Sequence, residues 1–393
     1  MLRFAPYSGI IAALALGALV ATLSERVISL PVSERAAPAA SSTLAVFPPE
    51  PTLLAPALSE SESTADLPET PTSPTQETPA PKKSVPPPLP ASPPTSSEPV
   101  PTAPPATVEP ESSPAETNAA LDASAAVLRA ALVNIICYVP SGSGLHSISG
   151  SGVFVDSKGI ILTNAHIAQY FLLRDRGVSC RIRSGSPATD SYEAALVFIS
   201  SAWISANASV LTQESPIGTG EFDFALLAVT GSASRNALPS SFPSIPLATS
   251  PPPAGTPVVI ASYGAQFLET SQVQSSLFPT IVFGSVKDVF TFAANTVDVL
   301  ALGGSAAAQE GSSGGGIAAA SGELVGTITT STVEGPTDTR SLDAITASYI
   351  RSAYANETGE ALDILLSRPI DTAVNGFAQK IPALEALLTA NLP

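Results

Sequence analysis

The sequence predicts an all-β fold of two packed barrels, and two observations support this. From about residue 133 to 354, short apolar segments alternate with Gly, Ser, Pro and Asn at regular spacing, a pattern typical of β-sandwiches and barrels. This part of the chain is too long for one small barrel and suits two packed ones. Hairpin turns are expected at "VDSKGI" and "AASGELV", where a glycine can supply a positive φ.

The N-terminal segment carries an uncharged apolar run from Phe4 to Leu23. About 20 residues suffice to span a hydrocarbon core, and Arg3 before the run predicts that the rest of the chain lies outside the cytoplasm. A cleaved signal peptide is the alternative. Leu19 and Ala21 match the small residues of a signal-peptide cleavage site poorly, and the apolar run is long for a signal-peptide core. We expect a single-pass anchor in the cell membrane, with the bulk of the protein periplasmic or extracellular.

A Pro-, Ser-, Thr- and Glu-rich segment follows, and it holds 23 of the 39 prolines between Pro31 and Pro114. It offers few large apolar residues to bury, so residues 31–117 are predicted to be a disordered linker. The chain has 33 acidic and 17 basic residues, with no cluster of Lys or Arg to neutralise phosphates. Nucleic-acid binding is therefore not expected.

Helices are predicted at both ends of the β-rich part. Ala and Leu spacing predicts a helix from Ala119 to Leu132, with Asn118 as its N-cap, followed by the strand "VNIICYV". After residue 356, "GEALDILLSR" and "IPALEALLTANL" show helical spacing. We expect these C-terminal helices to pack onto the body of the protein; binding of a partner or oligomerisation is the alternative.

The chain has two cysteines and two histidines. Outside the cytoplasm Cys137 and Cys180 could form a disulfide, but two small buried side chains are an equal alternative, because the sequence does not give the Cα separation. These few residues do not make a zinc set, so no metal is expected. Any histidine-based chemistry must use His146, in a Gly/Ser loop, or His166, which follows the apolar segment "GIILTNA".

Three local patterns together indicate acyl transfer by a serine. In "QEGSSGGGI", Gly311 and the glycines after Ser313 suit a nucleophile whose neighbouring N–H groups stabilise an oxyanion, although a Gly/Ser linker gives the same pattern. His166 could serve as the base, and Asp223, just before the apolar segment "FALLAV", could orient it. A turn-capping aspartate is the alternative for Asp223.

The order His166, Asp223, Ser313 resembles that of the trypsin-like serine proteases, most closely the HtrA/Deg-type branch. "GSGVFVDSKGIILTNAHIA", "FDFALLAV" and "AAAQEGSSGGGIAAASGELVGTIT" are similar to the segments that carry the three residues in that family. The resemblance covers about residues 133–354 and implies two six-stranded antiparallel Greek-key barrels. The segment "QEGSSGGGI" is called the serine loop below. It departs from the family at two positions that are expected to make it less rigid, namely Ser312 where the family has Asp or Asn and Gly316 where it has Pro. No PDZ domain is recognisable.

The resemblance implies a role for each residue. Ser313 is the nucleophile, His166 the general base, Asp223 its orienting carboxylate, and the N–H groups of Gly311 and Ser313 form the oxyanion hole. No cofactor is implied. The pocket for the substrate side chain is expected to be apolar and to prefer small or medium aliphatic residues, and it is assigned to Ala307, Ala308 and Thr329.

The sequence thus predicts a membrane-tethered serine endopeptidase acting on polypeptides outside the cytoplasm. Its expected parts are an anchor or signal segment (1–30), a linker (31–117), a protease domain (118–355) and a helical tail (356–393). A non-catalytic protease-fold module that binds peptides or cell-surface partners is the first alternative. A stalked adhesion protein, in which "GSSGGG" is a linker, is the second.

Overall fold

The computed structural model describes residues 113–390 and 392, without 214–217, 294 and 332–333. The predicted anchor and residues 31–112 of the predicted linker lie outside the described residues. Within the described part of the chain, no helix has the length and apolar character needed to cross a membrane.

The first helix, α1 (Pro114–Ala131), begins earlier than the sequence pattern suggested. Its N-cap is Ser113 and not Asn118: the Ser113 hydroxyl accepts the Glu116 N–H, and the Glu116 carboxylate accepts the Ser113 N–H. This reciprocal capping satisfies two backbone donors that a helix start leaves unpaired. The last residues of the predicted linker therefore belong to α1, which packs on strands of both β-sheets.

The first sheet is a closed six-stranded antiparallel barrel, with strand order β1-β2-β3-β6-β5-β4. Consecutive residues of β1, β3 and β6 are buried, so these strands are covered on both faces. Their apolar side chains belong to one continuous core, which also includes residues of the second sheet and of the helices. The strands are β1 (Leu132–Tyr138), β2 (Ile148–Asp156), β3 (Ile160–Thr163), β4 (Ser179–Gly185), β5 (Ala188–Ile199) and β6 (Ala225–Ser232).

The second sheet has seven described strands, in the order β8-β7-β11-β12-β13-β10-β9, where six were expected. The extra strand arises because the chain passes from one edge of the sheet, at β8, to the other edge, at β9, between Val286 and Lys287. The Val286 N–H donates to Thr256 O beside β7, whereas the Lys287 N–H donates to Ala301 O in β10. The strands are β7 (Pro257–Ser262), β8 (Thr280–Ser285), β9 (Asp288–Phe290), β10 (Val299–Ala301), β11 (Gly316–Ala319), β12 (Leu324–Ser331) and β13 (Leu342–Thr346).

One smaller expectation is confirmed, and one open alternative is decided. Both predicted hairpin turns contain a glycine with positive φ, Gly159 between β2 and β3 and Gly322 between β11 and β12. Cys137 and Cys180 lie opposite each other on β1 and β4 and form a disulfide.

Short helices connect the strands. The segment after β5 places Trp203 and Ile204 in the core. These helices are α2 (Ala165–Ala168), a 3-10 helix (Gln169–Arg176), α3 (Ser201–Asn207), a second 3-10 helix (Ala208–Thr212) and α4 (Thr270–Ser275).

The C-terminal tail is helical and packs onto the first barrel, as expected. Helix α7 (Ile370–Ala378) lies on β5, and α8 (Ile381–Thr389) contacts α3 and both 3-10 helices. Lys158 Nζ also donates to Leu366 O, which fixes the tail to the β2–β3 turn. Helix α5 (Ala347–Thr358) precedes the tail and ends in its first residues, and α6 (Leu362–Ser367) is the first helix within it.

Replacing Leu388 by Ala tests whether the tail is part of the core. Leu388 is fully buried, so truncation should lower the free energy of unfolding by about 2–5 kcal/mol through lost burial and a residual cavity. Ile364→Ala is the matched control, since this tail side chain is 48% exposed and its loss should cost about 0.5 kcal/mol or less. Denaturant unfolding of the purified protein measures both; equal losses would show that α8 is not docked.

Candidate active site

An imidazole and a carboxylate meet at one end of the first barrel. Strands β3 and β6 pair with Thr163 opposite Ala225, so the residues just after β3 and just before β6 lie side by side. His166 Nδ1 is 2.7 Å from Asp223 Oδ2, and the His166 backbone N–H donates to Oδ1 at 2.9 Å. An ionised carboxylate only accepts, so Nδ1 carries the proton and Nε2 is left as the basic nitrogen.

Two further groups hold Asp223 in place. Thr329 Oγ1 in β12 donates to Asp223 Oδ2 at 2.9 Å, and Asn164 Nδ2 donates to the Asp223 carbonyl at 2.8 Å. The Asp223 residue is only 6% exposed. An unpaired buried carboxylate would be costly, so the bonds from His166 and Thr329 stabilise and orient the carboxylate. The bond from Asn164 holds the backbone of Asp223.

The backbone just before Asp223 has an unusual conformation. Phe222 has φ +56°, which is uncommon for a residue with a side chain. Its N–H donates to the Tyr349 hydroxyl of α5 at 3.0 Å, and the two rings lie 6.2 Å apart. Burial raises the pKa of Tyr349 to about 12, so this phenol remains neutral over the physiological range. Helix α5 thereby helps to set the chain direction at Asp223.

The serine loop needs its glycines for close packing. Gly311 has φ +88°, and a Cβ there would lie 2.7 Å from Tyr263 O and 3.1 Å from Ala265 N. Gly314 has φ +84°, and its Cβ would lie 2.6 Å from Thr163 Oγ1 at the end of β3. Only glycine combines this backbone angle with such contacts. The loop from the second sheet is thus pressed against the strand that leads to His166.

Two N–H groups of this loop are available as donors. Among the residues that the structure describes, none accepts a hydrogen bond from the N–H of Gly311 or of Ser313. The Glu310 carbonyl accepts the Ala265 N–H at 2.8 Å. Because the carbonyl and N–H of a trans peptide point in opposite directions, the Gly311 N–H faces away from Ala265.

The two adjacent serines differ in environment. Ser312 is 1% exposed, and its Oγ lies 3.1 Å from Ser262 Oγ. Ser313 is half-buried, and its carbonyl accepts the Ser151 N–H at 2.7 Å. Within the described part of the chain, Ser313 Oγ makes no hydrogen bond to His166; such bonds are often long before a substrate binds.

The residues expected to form the substrate pocket are placed differently. Ala307 and Ala308 are fully buried, so the structure has no open pocket at their side chains. Thr329 directs its hydroxyl to Asp223 instead of a pocket. Arg340, which the sequence did not indicate, is 6% exposed and donates to Ala308 O and to Gln266 Oε1.

Several supporting residues have no sequence signature. Asn164 stands in "LTNAHI" and could have been noticed there, but the contacts of Ser151, Thr329 and Tyr349 join segments far apart in the chain.

Among the described residues, no group of three or more His, Cys, Asp or Glu could hold a metal ion.

A protein-family model matches part of the chain. Residues 150–326 match the model of the trypsin-like peptidase domain, which confirms the resemblance to trypsin-like proteases. No curated protein matches the chain.

Solved structures of one protease are similar to the chain. The active form of the Rv3671c protease from M. tuberculosis is 19% identical, with 65% of this chain and 96% of that chain covered and a TM-score of 0.39. Its inactive form is 18% identical, with coverage of 63% and 96% and the same TM-score. A serine-to-alanine mutant of the same protease, in an inactive form, is 17% identical, with coverage of 67% and 100% and a TM-score of 0.37.

Replacing Gly311 by Ala should disable the site while the matched replacement of Gly322 should not. Both glycines have positive φ, but a Cβ on Gly322 would have no atom within 4 Å. Gly311→Ala must displace the loop, so we expect its kcat for peptide hydrolysis to fall by about 100-fold or more, the cost of losing an oxyanion donor. Comparable kcat values for the two variants would show that the loop geometry does not matter.

Proposed function

We propose that this chain, through its trypsin-like peptidase domain, is a membrane-tethered serine endopeptidase that cleaves polypeptides outside the cytoplasm. The observation that carries the proposal is the Nδ1–Oδ2 contact of 2.7 Å between His166 and Asp223, beside a loop that offers two N–H donors. This combination of a base, an orienting carboxylate and donors suits acyl transfer.

The first half of the reaction forms an acyl-enzyme. Ser313 Oγ attacks the carbonyl carbon of the peptide, and His166 Nε2 takes the hydroxyl proton. As the tetrahedral intermediate collapses, the C–N bond breaks and the same proton passes from Nε2 to the leaving amine. A water molecule then repeats the sequence on the ester, which releases the acid and restores Ser313.

Asp223 acts through the imidazole. By accepting the Nδ1–H it keeps the tautomer with a basic Nε2, and its charge stabilises the imidazolium that forms when Nε2 takes the proton. Thr329 and Asn164 hold the carboxylate and backbone of Asp223, so the imidazole does not need to reorganise during each transfer.

The oxyanion of the tetrahedral intermediate is assigned to the N–H groups of Gly311 and Ser313. Both lack an acceptor among the described residues, so no existing hydrogen bond has to break when the substrate oxygen becomes charged. Donors that are fixed in advance stabilise the transition state more than the ground state.

The location outside the cytoplasm rests on two features. The apolar run from Phe4 to Leu23 suits a membrane anchor, and the Cys137–Cys180 disulfide suits an oxidising compartment. The Pro-rich linker between anchor and peptidase domain would hold the site away from the membrane surface.

Labelling with a fluorophosphonate probe tests the enzyme proposal. We expect the purified protein to be labelled, Ser313→Ala to abolish labelling, and His166→Ala to slow it by orders of magnitude, because the nucleophile loses its base. Ser312→Ala is the matched control and should remain labelled, since this neighbouring serine is buried against Ser262.

Absence of labelling in the folded protein would contradict the proposal and favour a non-catalytic, peptide-binding module. Labelling that Ser312→Ala removes and Ser313→Ala preserves would show that the nucleophile has been misassigned.

A further inference from the structure

Ser151 is a buried residue of the first barrel that contacts the serine loop of the second sheet. It lies in the middle of β2, opposite Asn134 of β1, and has no solvent exposure. Its position in the chain is 160 residues before Gly311. A buried hydroxyl needs hydrogen-bond partners, and those of Ser151 lie in the second sheet and in the serine loop.

The hydroxyl of Ser151 makes two hydrogen bonds. Oγ donates to the Gly311 carbonyl at 2.8 Å and accepts the Tyr263 N–H at 2.8 Å. The bond from Tyr263 leaves Oγ free to direct its own hydrogen at Gly311. The side chain thus joins two segments of the second sheet, the end of β7 and the serine loop.

The backbone of Ser151 contacts the same region. Its N–H donates to the Ser313 carbonyl at 2.7 Å, and its carbonyl accepts Thr163 Oγ1 at 2.7 Å. Thr163 lies three residues before His166. Ser151 therefore connects both Gly311 and Ser313 with β3, the strand that leads to the His166 imidazole.

These bonds restrict the peptide planes on both sides of Gly311. The Glu310 carbonyl is held by the Ala265 N–H and the Gly311 carbonyl by Ser151 Oγ. The Ser312 N–H, which belongs to the second peptide, also donates to the Gln309 carbonyl at 3.2 Å. Glycine has more conformational freedom than any other residue, so a loss of the Ser151 bond would let the Gly311 carbonyl shift. Because Gly311 joins the two peptides, that shift would also move the first peptide, which carries the Gly311 N–H.

We propose that Ser151 is a positioning residue that fixes the oxyanion loop across the interface between the two sheets. This inference rests on the proposed serine-peptidase function. Ser151 touches neither the substrate nor the reacting atoms; it acts through the Gly311 carbonyl, and its effect belongs to the transition state, in which the oxyanion forms.

The test compares Ser151→Ala with Ser149→Ala. Ser149 lies two residues earlier on the same strand, and its hydroxyl accepts from Asn134 Nδ2 without reaching the serine loop. We expect Ser151→Ala to lower kcat by about 10- to 100-fold, less than the loss of an oxyanion donor, with KM within about twofold. The midpoint of the pH profile of kcat should not move, because the His166–Asp223 pair is intact. Ser149→Ala should retain kcat.

Hydrogen exchange provides a second measurement that does not need activity. In Ser151→Ala, backbone amides of residues 309–315 should exchange faster than in the parent protein, whereas Ser149→Ala should leave them unchanged. Ser151→Cys has nearly the shape of serine and a weak donor; it should give intermediate values and serves if the alanine variant does not fold.

The outcomes are distinguishable. If the parent protein is not labelled by a fluorophosphonate, the proposed function fails, while exchange at residues 309–315 still decides whether Ser151 positions the loop. If Ser151→Ala and Ser149→Ala have the same kcat and the same exchange rates, Ser151 is an ordinary buried serine and the inference is overturned. If Ser151→Ala and Ser149→Ala lose the same free energy of unfolding and show the same changes in KM and kcat, the inference is also overturned.

Discussion

The candidate site depends on hydrogen bonds that join the two β-sheets. His166 and Asp223 belong to the first barrel, whereas Ser313 and its loop belong to the second sheet, so neither half is sufficient. Thr329 Oγ1 reaches from β12 to Asp223, and Ser151 N–H reaches from β2 to the Ser313 carbonyl. Because buried donors and acceptors are costly to leave unpaired, these bonds fix how the halves meet. The orientation of the base and the geometry of the loop follow from them.

The local patterns of the site could be predicted from the sequence, and their supports could not. Gly311, Ser313 and His166 stand in short motifs whose chemistry depends on adjacent residues. No local pattern distinguishes Ser151 from other serines, because its role depends on a carbonyl 160 residues away. For Thr329 the sequence indicates the strand but not the direction of the side chain, whose hydroxyl donates to Asp223.

The fold shows the same division between local and distant causes. Barrel strands and hairpin glycines follow from short patterns, and the first barrel has the expected six strands. The break at Val286 and Lys287 could not be predicted, since it depends on which sheet edge each N–H reaches. The cap of α1 is different: Ser113 and Glu116 form a recognisable capping box, which the Pro-rich composition of the preceding segment obscured.

The central claim is that Ser313 reacts between the His166 imidazole and the two N–H groups of its loop. A crystal structure of the protein with a peptidyl phosphonate bound covalently tests it most directly. We predict a bond from phosphorus to Ser313 Oγ, a phosphonyl oxygen within about 3.1 Å of the Gly311 and Ser313 nitrogens, and His166 Nε2 within hydrogen-bonding distance of Ser313 Oγ. A phosphonate on Ser312, or a phosphonyl oxygen turned away from both nitrogens, would contradict the claim.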